Sequence, residues 1–133
     1  MLDLALQGND GPTSVRDIAT RQEVSPKYLE RLFATLQASG LVRAVRGAHG
    51  GYQLTKPPRE ITLRQIYEAL EGSTPLVDCT ADPQVCNRSE TCVTLHVWAQ
   101  LYDACMETLD SITLEDLVHR TEQMGGQASM YYI

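Results

Sequence analysis

Ser25-Pro26 opens an amphipathic stretch that Gly40 closes, and the chain then runs directly into a strand, a glycine turn and a second strand. That order leaves few folds open. Serine before proline is an N-cap followed by a residue whose fixed φ suits the first helical turn, and Leu29, Leu32, Phe33 and Leu36 recur at the spacing of one buried helix face. Upstream, Thr13 or Ser14 caps a shorter helix carrying Val15, Ile18 and Ala19, with Gln22-Glu23-Val24 as the turn between the two. Ile18, Ala19, Val24, Leu29 and Leu32 are then the inward positions of a helix-turn-helix pair, and Glu23 takes a turn position where glycine is commoner. Downstream, Leu41 to Arg46 is a strand, Gly47-Ala48-His49-Gly50-Gly51 a tight turn and Tyr52-Gln53-Leu54 the returning strand. This is a β-wing pattern, although the same residues also suit a plain surface hairpin on a helical core.

The formal charge of −6 argues against a nucleic-acid partner until it is divided along the chain. Residues 13–56 hold seven cations (Arg16, Arg21, Lys27, Arg31, Arg43, Arg46, Lys56) against three acids (Asp17, Glu23, Glu30), a net +4 that leaves −10 on the rest. A DNA duplex responds to the local face, so the pattern reads as a basic reader joined to an acidic second half. No apolar run approaches the roughly 18 residues of a spanning helix, and no basic, apolar leader opens the chain, which gives the expectation of a cytoplasmic protein with no membrane partner. Phosphate loop, nucleophile motif and convergent carboxylate pair are all missing from the sequence, and we expect no enzyme.

The remaining elements follow from local signals. Met1 to Leu6 reads as the tail of a helix, broken by the run from Gly8 to Pro12. Thr62 and Gln65 have capping-box spacing and open a helix through Ile66, Ala69 and Leu70 that Gly72 stops. Pro75 and Pro83 are expected to hold residues 73–91 out of regular structure. From Cys92 a long helix runs towards Ile112, with Val93, Val97, Leu101 and Ala104 on one stripe and Trp98, Tyr102, Cys105 and Leu109 on the next. So wide an apolar face needs cover, and a second copy packed antiparallel is the simplest cover. Thr113 starts a short last helix through Leu114, Leu117 and Val118, after which Gly125-Gly126 leads to the apolar end Met130-Tyr131-Tyr132-Ile133. The expected architecture is mainly α with a small β-wing: a winged helix-turn-helix over 1–72, a cysteine loop over 73–91, and a dimerisation helix with C-terminal tail over 92–133, the homodimer forming through 92–112.

Cys79, Cys86 and Cys92 sit in that loop at a spacing that matches no common zinc finger or ribbon. Packing thiols belong on periodic apolar faces, whereas these three are flanked by Asp78, Asp82, Asn87, Arg88 and Glu90. Thiolates suit zinc or an iron–sulfur cluster, and a cluster wants a fourth ligand. His96 lies one helical turn beyond Cys92 and is a candidate, with a polar residue on the long helix as its plainer reading. Cys105, spaced with Trp98, Tyr102 and Leu109, reads as a buried core thiol.

Tyr28-Leu29-Glu30, the run from Gly40-Leu41-Val42 through Arg46-Gly47-Ala48-His49-Gly50-Gly51-Tyr52, the three-cysteine loop and Trp98 together resemble the Rrf2 superfamily of winged-helix transcription regulators, IscR-like in its cysteines. The resemblance covers nearly the whole chain. It implies an iron–sulfur cluster on Cys79, Cys86 and Cys92, a two-iron cluster ahead of a four-iron one, in a regulator sensing iron–sulfur, redox or nitric-oxide status. The IscR-like pattern has its histidine three residues after the third cysteine, where this chain has Leu95 and places His96 one position later. Members also begin further upstream, with a basic stretch leading into the first helix. The Met130 to Ile133 tail resembles the CymR-like end, which implies the alternative of a cluster-free repressor of cysteine and sulfur metabolism acting through thiol oxidation or a partner enzyme. Structural zinc is the other alternative.

On this reading the helix from Pro26 to Ser39 enters the major groove of a pseudo-palindromic double-stranded operator and the wing lies along the minor groove. Lys27, Glu30 and Arg31 are the expected base readers, since glutamate accepts from cytosine N4 and arginine takes guanine bidentately. Tyr28, Arg43 and His49 are expected at phosphates or in packing, Arg46 in the minor groove, and Gly47, Gly50, Gly51 and Tyr52 in the wing that carries them.

Overall fold

The computed structural model describes residues 1–7, 11–73 and 75–130. Its elements are α1 (Leu2–Leu6), α2 (Val15–Gln22), α3 (Pro26–Ala38), β1 (Val42–Val45), β2 (Gly51–Leu54), α4 (Leu63–Glu71), α5 (Asp78–Ala81), α6 (Val93–Asp110) and α7 (Leu114–Met130), with single 3-10 turns at Pro58–Glu60, Pro83–Val85 and Ser89–Thr91. This is a mainly helical winged helix-turn-helix. The strands form one antiparallel pair in the register Val42 to Leu54 and Val45 to Gly51.

The caps fall where local chemistry puts them. Ser14 accepts from the Asp17 amide, Ser25 from the Tyr28 amide, and Thr62 and Gln65 form the full capping box. Each such cap stabilises its helix by about 1 kcal/mol by satisfying an otherwise orphaned N–H. Glu23 closes α2 with φ 54°, the left-handed conformation that the tight turn demands, and the Val24 amide donates back to the Ala19 carbonyl.

Two short backbone exchanges tie distant segments. Thr13 and Tyr52 donate to each other's carbonyls at 3.0 and 2.9 Å, adding a rung to the wing from the connection before α2. Leu63 donates to Ile112 and Leu114 to Ile61, both at 2.9 Å, which joins the start of α4 to the start of α7. Ile61 and Leu114 are the most buried of the large side chains there, in one core with Leu4, Ile18, Phe33, Leu36, Leu41 and Val42. α7 lies against α1 and the Pro58–Glu60 turn, so its first half shares the reader's core.

Three expectations need correction. Residues 73–91 contain regular turns: α5 forms after Pro75, and Pro83 starts a 3-10 turn because Asp82 accepts from the Gln84 amide and proline suits a first helical position. α7 continues past Gly125, where the space beside the backbone is open and only propensity opposes the helix. Cys105 is exposed, because α6 turns Ala99, Tyr102, Met106 and Leu109 towards its own chain and leaves Cys105 on the other side. The expected chain break at Gly8-Asn9-Asp10 and the Tyr131-Tyr132-Ile133 end lie outside the described residues.

Candidate nucleic-acid interface and cysteine loop

α3 buries Phe33 and Leu36, half-buries Leu29 and Leu32, and leaves Lys27, Tyr28, Glu30 and Arg31 exposed. Lys27, Glu30 and Arg31 stand three and four residues apart, so they share one face at the open end of the helix. The wing begins where β1 ends: Arg46, Gly47 and His49 are exposed, the Gly50 amide donates to the Gly47 carbonyl at 3.0 Å, and Gly47 has φ 123°. A Cβ at Gly50 would overlap the Val45 carbonyl, and one at Gly51 the Thr13 carbonyl. Both glycines are therefore set by sterics at the base of the turn.

Tyr52 joins the two halves of this surface. Its ring stacks on Phe33 with centroids 4.4 Å apart and planes 11° from parallel, fixing β2 against the inner face of α3. Tyr52 thereby holds the wing against α3. Arg43 is exposed on β1 and its guanidinium donates to Gln53 Oε1 at 3.2 Å. Arg21, one of the seven reader cations, is turned inward: Nε and Nη2 donate to Asp3 at 3.0 and 2.6 Å, and Gln22 Nε2 adds a third bond at 3.0 Å. That pair could not be foreseen from either segment alone.

In the loop, Cys79 is on α5, Cys86 follows the Pro83–Val85 turn, and Cys92 is the N-cap of α6; all three are half-buried. The loop folds back on the helix it precedes, since α5 packs against α6. Cys92 Sγ lies 3.1 Å from Thr94 Oγ1, and that hydroxyl, with the Leu95 and Thr94 amides, holds the Cys92 thiol below its ordinary pKa. His96 is exposed on the first turn of α6. Tyr102 reaches from the middle of α6 to the Ser73 carbonyl at 3.3 Å and ties the other end of the loop. Half-buried thiols, one of them biased towards thiolate, fit a soft metal or cluster by donor chemistry. Among the described residues, however, no three His, Cys, Asp or Glu side chains are grouped as one metal ion would need.

Beyond this loop α6 exposes Val93, Val97, Trp98, Leu101, Ala104 and Cys105 along one side. Among the described residues no helix is long and apolar enough to cross a membrane.

The fold and exposed reader face define a winged-helix DNA-binding regulator. Residues 1–120 match the Rrf2 family, described as iron-dependent transcriptional regulators, and the chain belongs to that family. CymR of Bacillus subtilis, an HTH-type transcriptional regulator, is 40% identical over 134 residues, covering 100% of this chain and 91% of its own. The structure of that protein, the global cysteine regulator, superposes with a TM-score of 0.73 at 38% identity over 90% of this chain and 87% of that one. The structure of T. potens IscR gives a TM-score of 0.76 at 40% identity, over 92% of this chain and 80% of that one. The relatives are transcriptional regulators rather than enzymes, and regulation through DNA is the activity the family shares with this chain.

Proposed function

We propose that the protein is a cytoplasmic, homodimeric repressor whose hold on a pseudo-palindromic operator is set by the state of the three-cysteine loop. Residues 1–72 read the DNA, 73–91 sense, and 92–112 pair the two copies. Lys27, Glu30 and Arg31 contact base edges, and Arg46 enters the minor groove beside the wing. Cys79, Cys86 and Cys92, with His96 as fourth donor, would hold an iron–sulfur cluster. When bound, such a cluster supplies a one-electron couple and a target for oxidant or nitric oxide.

The observation that carries this reading is the position of Cys92. It stands at the N-cap position of α6, the helix with the exposed apolar side, so whatever its thiol holds acts at the start of the pairing helix. α4 packs on both α6 and α3, which offers a second route from loop to reader within one chain. Either route is a shift between poses of the reader, sized by how differently the loop's two states suit them.

A second reading draws support from the ungrouped donors and from the thiolate bias at Cys92. It makes the protein a cluster-free, CymR-like repressor of cysteine and sulfur metabolism, acting through thiol oxidation or a partner enzyme. A structural zinc in the loop is a separate alternative, which calls for stoichiometric zinc and no redox response.

The test is fluorescence anisotropy with an operator selected from random duplexes, using anaerobic protein before and after nitric oxide. Wild type is expected to change affinity and Cys86→Ser to be unresponsive. An equal response in Cys86→Ser would remove the loop from the regulatory account.

A further inference from the structure

Between α1, the Gly11–Thr13 connection, β2 and the Pro58–Glu60 turn lies an open concavity of about 660 Å³, within the range of small-molecule sites. Buried Leu4 and Ala5 and half-buried Leu54 line its inner part, and exposed Arg43, Lys56 and Arg59 its outer part. Arg43 comes from β1, and Lys56 and Arg59 come from the connection after β2 and the turn that ends it, so the fold brings two separate segments together here. Pro57 and Pro58 separate Lys56 from Arg59 and fix the backbone between them, and the bond to Gln53 fixes Arg43. Arg59 has only a long, solvent-exposed contact with Glu60 at 3.8 Å, and among the described residues neither Arg43 nor Lys56 has a carboxylate within 4.0 Å.

We infer that this concavity binds a small anionic molecule, a phosphomonoester or carboxylate with a compact apolar body, and that its occupancy steadies the wing. Three cations in one concavity supply charge-assisted donors for the anion, and Leu54, Pro57 and Pro58 supply apolar contact for the body. The walls are those that hold the wing: β2 itself, and the connection whose Thr13 exchanges backbone bonds with Tyr52. A ligand spanning α1 and β2 would therefore oppose fraying of that rung. The inference is independent of the cysteine loop and survives if the cluster reading fails.

The test is amide chemical-shift titration of the full chain with phenyl phosphate and, separately, inorganic phosphate. Saturable shifts at Thr13, Tyr52 and Gln53 are expected, with phenyl phosphate about tenfold tighter, the gain from burying roughly two methylene equivalents. The double variant Lys56→Glu with Arg59→Glu, both on exposed side chains, should lose them while its melting temperature stays put; Lys56→Ala alone should weaken them. Equal affinity for the two probes overturns the apolar body, and no saturable shift with either overturns the site. If neither probe binds yet the double variant lowers the salt dependence of duplex binding, the rim belongs to the DNA backbone and the small-molecule source is refuted.

Discussion

Asp3 on α1 and Arg21 on α2 form a two-point contact in which both guanidinium donors meet one carboxylate that is 7% exposed. The bond from Arg21, ahead of Gln22 and the charges nearby, holds the Asp3 carboxyl below its ordinary pKa. Its folded value is thus depressed, and the stability it contributes is present above the unfolded value of roughly 3.9 and lost as pH falls through the folded one.

Asp3→Asn should therefore flatten the acid limb of the stability curve. Denaturant melts of wild type and variant between pH 7 and pH 3 are expected to converge towards the acid end. The flattening should be partial, because Asp116 is also held down, first by the Thr113 amide, and loses its contribution in the same direction in both proteins. Parallel curves across the range would show that Asp3 is not held ionised by Arg21.

Gly51 sits against the Thr13 carbonyl, so Gly51→Ala should force β2 away from the connection before α2. Overlap of this kind costs about 1–3 kcal/mol when neighbouring backbone has to move. Hydrogen exchange at Tyr52 should accelerate and operator affinity should fall with it. Slow exchange at Tyr52 in the variant would mean that the rung does not set the wing.

Arg46 is exposed at the wing's start, with no bond that would hold it back among the described residues. Arg46→Ala should weaken operator binding by about 1–3 kcal/mol at matched salt. Glu30→Ala should instead relax selectivity at one base-pair position, read by competition among single-site operator variants.

Leu101 stands at the middle of the exposed side of α6. Leu101→Asp should leave the core intact, since the core residues lie elsewhere, and should convert a dimer to monomers in sedimentation velocity. A variant that sediments as wild type would move the dimer contact off this face.

What was legible in the sequence was local. Ser25 with Pro26, and Thr62 with Gln65, announce their helices because cap chemistry acts over three residues, and the glycines announce a turn, Gly47 by its positive φ and Gly50 and Gly51 by the backbone packed against them. The pairs Asp3–Arg21, Thr13–Tyr52 and Ile61–Leu114 join segments far apart in the chain, and no spacing rule reports them. Periodicity showed that α6 is apolar on two stripes without saying which meets its own chain, and Cys105 was misplaced for that reason. Lys56 belongs to the seven cations of residues 13–56 and Arg59 lies just beyond them; the two prolines between them are the sign in the sequence that their geometry is fixed.

The visible absorption spectrum of anaerobically purified protein, with iron, sulfide and zinc assayed on the same sample, is the most direct test of a cluster on Cys79, Cys86 and Cys92. The account predicts a brown protein with matched iron and sulfide, and loss of both on replacing any one of the three cysteines by serine. A colourless protein that takes up no iron on anaerobic reconstitution would contradict it and leave the thiol or zinc reading of the loop.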